Sequence, residues 1–283
     1  MFNKVLVCLL VINLNLSAKH QRLNLQQALN FKLVKASAVS LGGYQGFCVN
    51  VNLKNLSNDS LIVILEAGRR LNSLDEKNQD ILITRQEIIA LKKAENKSVK
   101  VKGYCCQASN HAPFIGAQYD INKLADSNLV ILARYLNQNN FELQAEQYAV
   151  WALSDKKPTA QITSVNDSLI MPLKKMVCAL KGEVLPWYSI VSGTYVFRNG
   201  VMITTPQYLR GNLEYAIDED SYTTMHIINA NGIEVGKIVS KWLLAGKNQN
   251  YVLNIPIKNF NKGKYTVELK TAQKQLAIKE FEI

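Results

Sequence analysis

The feature of the sequence that most constrains its fold is a series of short segments in which large apolar and polar residues alternate. In residues 47–54, which read FCVNVNLK, every second residue is a large apolar one. Because successive side chains of a β-strand point to opposite faces, this period of two predicts a half-buried strand. Similar short strands are predicted at residues 61–65, 80–84, 87–91 and 98–105. Together they predict an antiparallel β-sandwich in the first part of the chain.

Three segments in the middle of the chain have helical periodicity instead. We predict helices near residues 126–138, 142–154 and 172–181, because apolar residues recur there at intervals of three and four. Asp126 or Ser127 is a suitable N-terminal cap for the first of them. A three-helix segment is therefore expected after the sandwich.

After residue 188 the pattern returns to short strands, and an Asn231-Gly232 pair between two of them is a strong hairpin signal. The predicted strands cover residues 195–198, 213–217, 223–228, 233–239, 251–255, 264–269 and 275–281. The expected fold class is α+β, mostly β, with an N-terminal antiparallel β-sandwich and its three-helix segment at residues 19–188. An immunoglobulin-like β-sandwich is expected at residues 189–283.

The first eighteen residues have the features of a secretory signal peptide. Lys4 precedes an apolar run at residues 5–16, and the small residues Ser17 and Ala18 follow it. The run is too short to span a membrane, so we expect cleavage after Ala18 and no transmembrane segment. The mature chain is then exported to the periplasm, the cell surface or the extracellular medium.

The composition predicts a folded chain with an excess of positive charge. Apolar residues make up 48% of the sequence and charged residues 19%, which leaves ample material for a core, and the formal net charge is +11. Such an excess favours acidic partners. The lysines are scattered and are not interleaved with aromatic residues, so nucleic acid is not expected as a partner. A protein or polysaccharide surface ligand is expected instead, and the oligomeric state stays open.

Four cysteines, Cys48, Cys105, Cys106 and Cys178, remain after the signal peptide. Strand parity places Cys48 and Cys106 on the polar faces of their strands and Cys105 on an apolar face. If those strands are neighbours, Cys48 and Cys106 are the candidates for a disulfide, and an oxidising compartment permits one. Packed free thiols are the alternative.

Two short motifs, Tyr104-Cys105 at a strand end and Gln147-Tyr148-Ala149-Val150-Trp151 on a helix, stand about forty residues apart. They resemble the paired motifs of bacterial thioester domains in surface adhesins. This resemblance implies that Cys105 is the thiol and Gln147 the acyl donor of an internal thioester, with His111 as a proton shuttle. The chain departs from the family in its tandem Cys105-Cys106 and in having no cell-wall anchoring signal.

The last 70 or so residues carry a second resemblance, on the hairpin at 229–236, the Ala245-Gly246 turn and the strand entry at 262–267. These features resemble the immunoglobulin-like C-terminal modules of exported bacterial proteins, including flagellar hook-capping proteins and type IX secretion cargo. The final residues, KEFEI, lack the basic tail of a sorting domain.

Conventional catalytic motifs are missing from the sequence: there is no Gly-x-Ser-x-Gly, phosphate loop, dinucleotide fingerprint or His-Glu-x-x-His. No histidine stands at metal-ligand spacing to another, so neither a metal nor a cofactor is expected. The expected function is non-catalytic binding or adhesion. The alternative is a Cys-dependent hydrolase that uses Cys105 or Cys106 with His111. For Gln147 itself, a hydrogen bond to a loop backbone is the simpler explanation.

Overall fold

A computed structural model describes residues 21–193 and 195–283 of the chain. The predicted signal peptide at residues 1–18 lies outside this part. Strands account for 48% of the structure and helices for 18%, which confirms the expected α+β, mostly β class. None of the helices in the described residues is long and apolar enough to cross a membrane.

The first part of the chain begins with strands and one short helix, α1 (Leu25–Asn30). Its strands are β1 (Gln21–Asn24), β2 (Val34–Ser40), β3 (Gln45–Asn55), β4 (Leu61–Leu65), β5 (Arg69–Ser73), β6 (Ile81–Ile83), β7 (Glu87–Leu91), β8 (Asn96–Cys105) and β9 (Gln118–Leu124). Strands β2, β3, β8, β6, β5 and β9 pair in that order and close into a six-stranded barrel. Strands β1, β4 and β7 form a separate sheet.

The barrel closes through two strands that the alternation pattern did not predict. Strand β9 pairs with β2, through Ala38 and Tyr119, and also with β5, through Leu71 and Ile121. Strand β5, RRLNS, has a single large apolar residue, Leu71, and in β9 the apolar alternation is limited to Tyr119 and Ile121, so neither gives a strand signal as long as that of residues 47–54. Of the strands expected to form a sandwich, β3, β6 and β8 therefore belong to a closed barrel, whereas β4 and β7 pair in the separate sheet.

Three further helices follow the barrel: α2 (Ser127–Gln138), α3 (Leu143–Ser154) and α4 (Asp167–Lys181). The first two match the predicted positions closely, and the side chain of Asp126 caps α2 by accepting from Leu129 N. Helix α4 begins five residues before the predicted start at Pro172. The side chain of Asn166 caps it by accepting from Ser168 N, and Pro172 lies inside the helix.

The second part of the chain is built from strands around a core of its own. These are β10 (Tyr188–Ser192), β11 (Val196–Arg198), β12 (Val201–Ile203), β13 (Pro206–Ile217), β14 (Ser221–Asn229), β15 (Glu234–Leu243), β16 (Gly246–Pro256), β17 (Lys264–Lys270) and β18 (Gln275–Glu282). One sheet has the order β10-β13-β16, and another has the order β15-β14-β17-β18. The β14–β15 hairpin turns at Asn231-Gly232 as predicted, with a left-handed φ of 75° at Gly232. The small hairpin β11–β12 pairs with neither of these sheets, and Met202 of β12 belongs to the core of the first part.

Candidate functional site

The strand end that carries Cys105 packs directly against the helix that carries Gln147. Cys105 is the last residue of β8, where it pairs with Ile81 of β6. Gln147 lies in α3, in which every residue from 145 to 152 is buried. Both Cys105 and Gln147 are 0% exposed. The structure therefore brings together the two residues that the thioester motifs single out.

The carboxamide of Gln147 forms two hydrogen bonds with the backbone of Cys105. Its Nε2 donates to Cys105 O at 2.8 Å, and its Oε1 accepts from Cys105 N at 3.1 Å. The backbone N–H of Cys105 also donates to Tyr44 O at 3.0 Å. A buried amide is thus fully paired, as a polar group in a core must be. Its partner is the end of a strand and not the loop backbone that the simpler explanation assumed.

A buried ionic cluster lies one residue away along both elements. Glu146 of α3 is 0% exposed, and it accepts a hydrogen bond from the hydroxyl of Tyr104. Lys102 Nζ lies 3.0 Å from its Oε2, and Arg85 Nη2 lies 3.2 Å from its Oε1. The backbone N–H of Phe141 donates to the same Oε1 at 3.1 Å. Because each carboxylate oxygen has two partners, the charge of Glu146 is well compensated inside the core.

The sequence interpretation missed this cluster, although its signal was visible. Glu146 interrupts the apolar character of the predicted helix just as Gln147 does. The argument that a polar residue in such a helix needs a partner applies equally to both. The partners themselves, Tyr104, Lys102 and Arg85, come from elements distant in sequence.

Aromatic side chains pack around the helix on the Gln147 side. The ring of Trp151 stacks with Tyr44 at 6.2 Å and meets Tyr148 edge-on at 5.4 Å. Tyr195, just before β11, meets Tyr44 edge-on at 5.3 Å. This aromatic cluster links α3 to the segment between the two parts of the chain. The indole Nε1 of Trp151 is buried and has no hydrogen-bond partner within the described residues.

The thiols near the site are protonated at neutral pH. Burial raises the pKa of Cys105 well above its usual value, and the neighbouring Cys48 thiol acts in the same direction. Burial likewise raises the pKa of Cys48 and of Cys106 to about 12. Since a thiolate is the stronger nucleophile, none of these residues is poised for a fast thiol reaction with solvent.

The predicted disulfide between Cys48 and Cys106 is not formed, because Cys48, Cys105, Cys106 and Cys178 are all free in the structure. Strands β3 and β8 are neighbours, as that prediction required, but their register shifts between Gly46 and Val49. This β-bulge reverses the expected parity: Phe47 is 66% exposed and Cys48 is 1% exposed. The Cys48 thiol donates to Gly103 O at 3.5 Å and faces the core.

His111 has a structural position away from both thiols. Its backbone bridges Asn78 and Val201, which ties the loop after β8 to the β11–β12 hairpin. Its ring packs against Gly200, where an added Cβ would lie 3.1 Å from His111 Cγ. Within residues 21–193 and 195–283, no hydrogen bond joins this ring to Cys105 or Cys106. Neither the proton shuttle nor the hydrolase pair receives a supporting contact.

The backbone N–H of Cys105 donates to the carbonyl oxygen of the Gln147 carboxamide. A backbone N–H that donates to a carbonyl oxygen stabilises the negative charge which develops there when a nucleophile attacks the carbonyl carbon. Cys105 N occupies that position relative to Gln147 Oε1.

In the described part of the chain, no group of three or more His, Cys, Asp or Glu side chains could hold a metal ion.

Comparisons of the chain with known proteins find no match. No protein-family model, no curated protein and no solved structure is significantly similar to it. The functional interpretation therefore depends on the residues and contacts described above.

Proposed function

We propose that the chain is an exported, non-catalytic binding protein of the adhesion type, in which Cys105 and Gln147 form an internal thioester that acylates an amine of the partner. The observation that carries this proposal is the pair of hydrogen bonds, 2.8 Å and 3.1 Å long, between the Gln147 carboxamide and the Cys105 backbone. They hold the carboxamide at the residue that bears the thiol.

The proposed chemistry has two steps. First, the Cys105 sulfur attacks the carboxamide carbon of Gln147, a carbon–sulfur bond forms, and the carbon–nitrogen bond breaks. The thiol proton leaves with that nitrogen as ammonia. Second, a primary amine attacks the thioester carbon, a carbon–nitrogen bond forms, the carbon–sulfur bond breaks, and a proton of the amine passes to the Cys105 sulfur. Gln147 is consumed, so each chain reacts once and the protein is not a catalyst.

Burial protects the product of the first step from hydrolysis and slows its formation. It excludes water from both residues, each 0% exposed, and so protects a stored thioester from hydrolysis. It also raises the pKa of the Cys105 thiol, which slows the first step. The N–H of Cys105 offsets part of this cost by polarising the carbonyl. We therefore expect slow formation during or after folding and a long-lived product.

Two sequence features support export and surface binding. The first eighteen residues have the order of a secretory signal peptide, and the net charge of +11 favours an acidic partner surface. The proposed partner is a protein or a polysaccharide that has an acidic surface and carries free amines. A disulfide is not part of the proposal, because all four cysteines of the described chain are free.

The decisive measurement is the intact mass of the purified mature protein, before and after treatment with methylamine. A thioester makes the protein lighter than its sequence mass by one ammonia. Methylamine then opens the thioester, and peptide mapping locates a methylamide at Gln147. A full sequence mass, unchanged by methylamine, would contradict the proposal.

Matched variants separate this reaction from nonspecific loss of ammonia. Cys105→Ser and Gln147→Ala abolish the mass deficit, whereas Cys106→Ser and Gln144→Ala keep it. Cys106 is as buried as Cys105, and Gln144 is an exposed glutamine on the same helix. His111→Ala also keeps the deficit, while the alternative hydrolase would lose its activity in that variant.

A further inference from the structure

A cavity of about 470 Å³ lies where the two parts of the chain meet. Its walls come from helix α3, the β11–β12 hairpin with the residues that follow it, and the segment 257–262 after β16. The volume is within the usual range for small-molecule sites. Tyr148 and Trp151, on the helix that carries Gln147, line it. Neither Cys105 nor Gln147 lines it, so the cavity is separate from the candidate thioester.

The charged residues that line this cavity are all positive. They are Lys157, Lys258 and Lys262, and no aspartate or glutamate is among the lining residues. Lys258 and Lys262 are exposed and form no ion pair within the described residues. Lys157 Nζ lies 3.9 Å from Asp155, at the outer limit of an ion pair. Lys258 and Lys262, which have no ion-pair partner among the described residues, make this cavity attractive to an anion.

The wall of the cavity also contains Trp151. This residue is 1% exposed, and its indole nitrogen is buried from solvent, so Trp151 contributes its ring to the wall and not a donor to a ligand. Gln161 and Thr205 add an amide and a hydroxyl to the lining, and Phe260 adds an apolar ring. Such a mixture suits a compact ligand with several hydroxyl groups.

We infer that this cavity binds an acidic sugar residue, with its carboxylate beside Lys258 and Lys262. The cations select for the carboxylate, the amide and hydroxyl groups pair with sugar hydroxyls, and the volume admits one or two rings. The interaction is noncovalent and does not depend on the proposed thioester. It would place an acidic polysaccharide chain at the junction of the two parts.

The test is a calorimetric titration of the mature protein with trigalacturonate, and with a neutral galactose trimer as the control ligand. We expect the acidic trimer to bind at least about tenfold more tightly and to lose affinity as salt is added. We also expect the indole resonance of Trp151 to shift on binding. Equal affinity for the two trimers, or an unperturbed Trp151 resonance, would overturn the inference.

The variant Lys258→Gln/Lys262→Gln weakens trigalacturonate binding by about tenfold or more. Its control, Lys237→Gln/Lys247→Gln, removes the same net charge from exposed lysines that do not line the cavity. Equal weakening by both variants would reduce the effect to overall charge and contradict the site. Tighter binding of a glutamate oligomer than of trigalacturonate would contradict the sugar as the ligand class. Cys105→Ser leaves the affinity unchanged, which separates this site from the thioester.

Discussion

The hydroxyl of Tyr104 donates a hydrogen bond to the carboxylate of Glu146, and the next residue of each element, Cys105 and Gln147, forms the next pair. The end of β8 and the helix α3 are thus joined by two consecutive buried contacts. In the first contact the acceptor is the charged carboxylate of Glu146, and in the second both partners are neutral. Together they fix the position of α3 against the strand, so the carboxamide of Gln147 depends on Glu146 for its placement.

We expect Glu146→Gln to lower the free energy of unfolding by roughly 3 kcal/mol. The change leaves the partly buried cations Lys102 and Arg85 without their counterion, and breaking a buried ion pair by removing one partner is costly. Urea denaturation measures the effect. Glu142→Gln is the control, since Glu142 is exposed before the same helix and makes no capping hydrogen bond. An equal effect of the two substitutions would show that the cluster contributes nothing specific.

The buried thiols predict a loss of stability at alkaline pH. In the unfolded chain Cys48 and Cys106 ionise near their ordinary pKa of 9.0, but in the folded chain burial raises the pKa of each to about 12. Between these values the folded state keeps protons that the unfolded state loses. The stabilising contribution is therefore complete below pH 9.0 and is lost as the pH rises towards about 12.

Urea denaturation over this pH range checks the prediction, with Cys106→Ala as the comparison. Tyr104 also has a raised pKa, through burial first and the charge of Glu146 second, and it acts in the same direction at higher pH. The free energy of unfolding of Cys106→Ala must therefore decline less with rising pH than that of the unmodified protein. Identical pH profiles for the two proteins would contradict the assignment to the thiols.

Gly103→Ala tests how tightly β8 packs against β6. A Cβ at this position would lie 2.5 Å from Ile81 Cγ2 and 3.1 Å from Leu82 O, so the strands must move apart. Overpacking of this kind costs about 1 to 3 kcal/mol. Gly236→Ala is the matched change, because Gly236 is also in a strand and the nearest atom to its added Cβ is 3.7 Å away. We expect the free energy of unfolding of Gly236→Ala to differ from that of the parent by no more than about 0.5 kcal/mol.

Lys174 and Ser189 form a buried polar pair between α4 and β10. Lys174 is 2% exposed, and its Nζ donates to Ser189 Oγ at 2.8 Å. Burial lowers the pKa of Lys174. We expect Ser189→Ala to destabilise the fold by about 1 to 3 kcal/mol, because the ammonium loses its acceptor.

A double-mutant cycle checks this expectation. In the Lys174→Met background, Ser189→Ala should cost much less, since no buried cation then needs the hydroxyl. Ser192→Ala on the same strand serves as the control, and its effect should stay within about 0.5 kcal/mol. Additive effects of Ser189→Ala and Lys174→Met would rule out coupling between the two side chains.

The helices and the hairpin at Asn231-Gly232 were predictable because their signals are local. Helix α2 needs only its cap at Asp126 and apolar side chains at intervals of three and four, and α3 needs only its apolar side chains. Both begin within one residue of their predicted starts at 126 and 142. Gln147 was identifiable for the same reason: a polar residue on an apolar helix is visible in the sequence. Cys105 was singled out beside Gln147 only through the resemblance to thioester domains.

The sequence by itself determined helices α2 and α3, the strands with a clear alternation, and the residues that break these patterns. The tertiary structure decided which strands close the barrel, the bulge that turns Cys48 into the core, and the partners of Glu146. Each of these depends on contacts between residues far apart in the chain, and their free energy is gained only when the whole fold forms. The approach of Gln147 to Cys105 belongs to this second group, because the strand and the helix that carry them meet only in the folded protein.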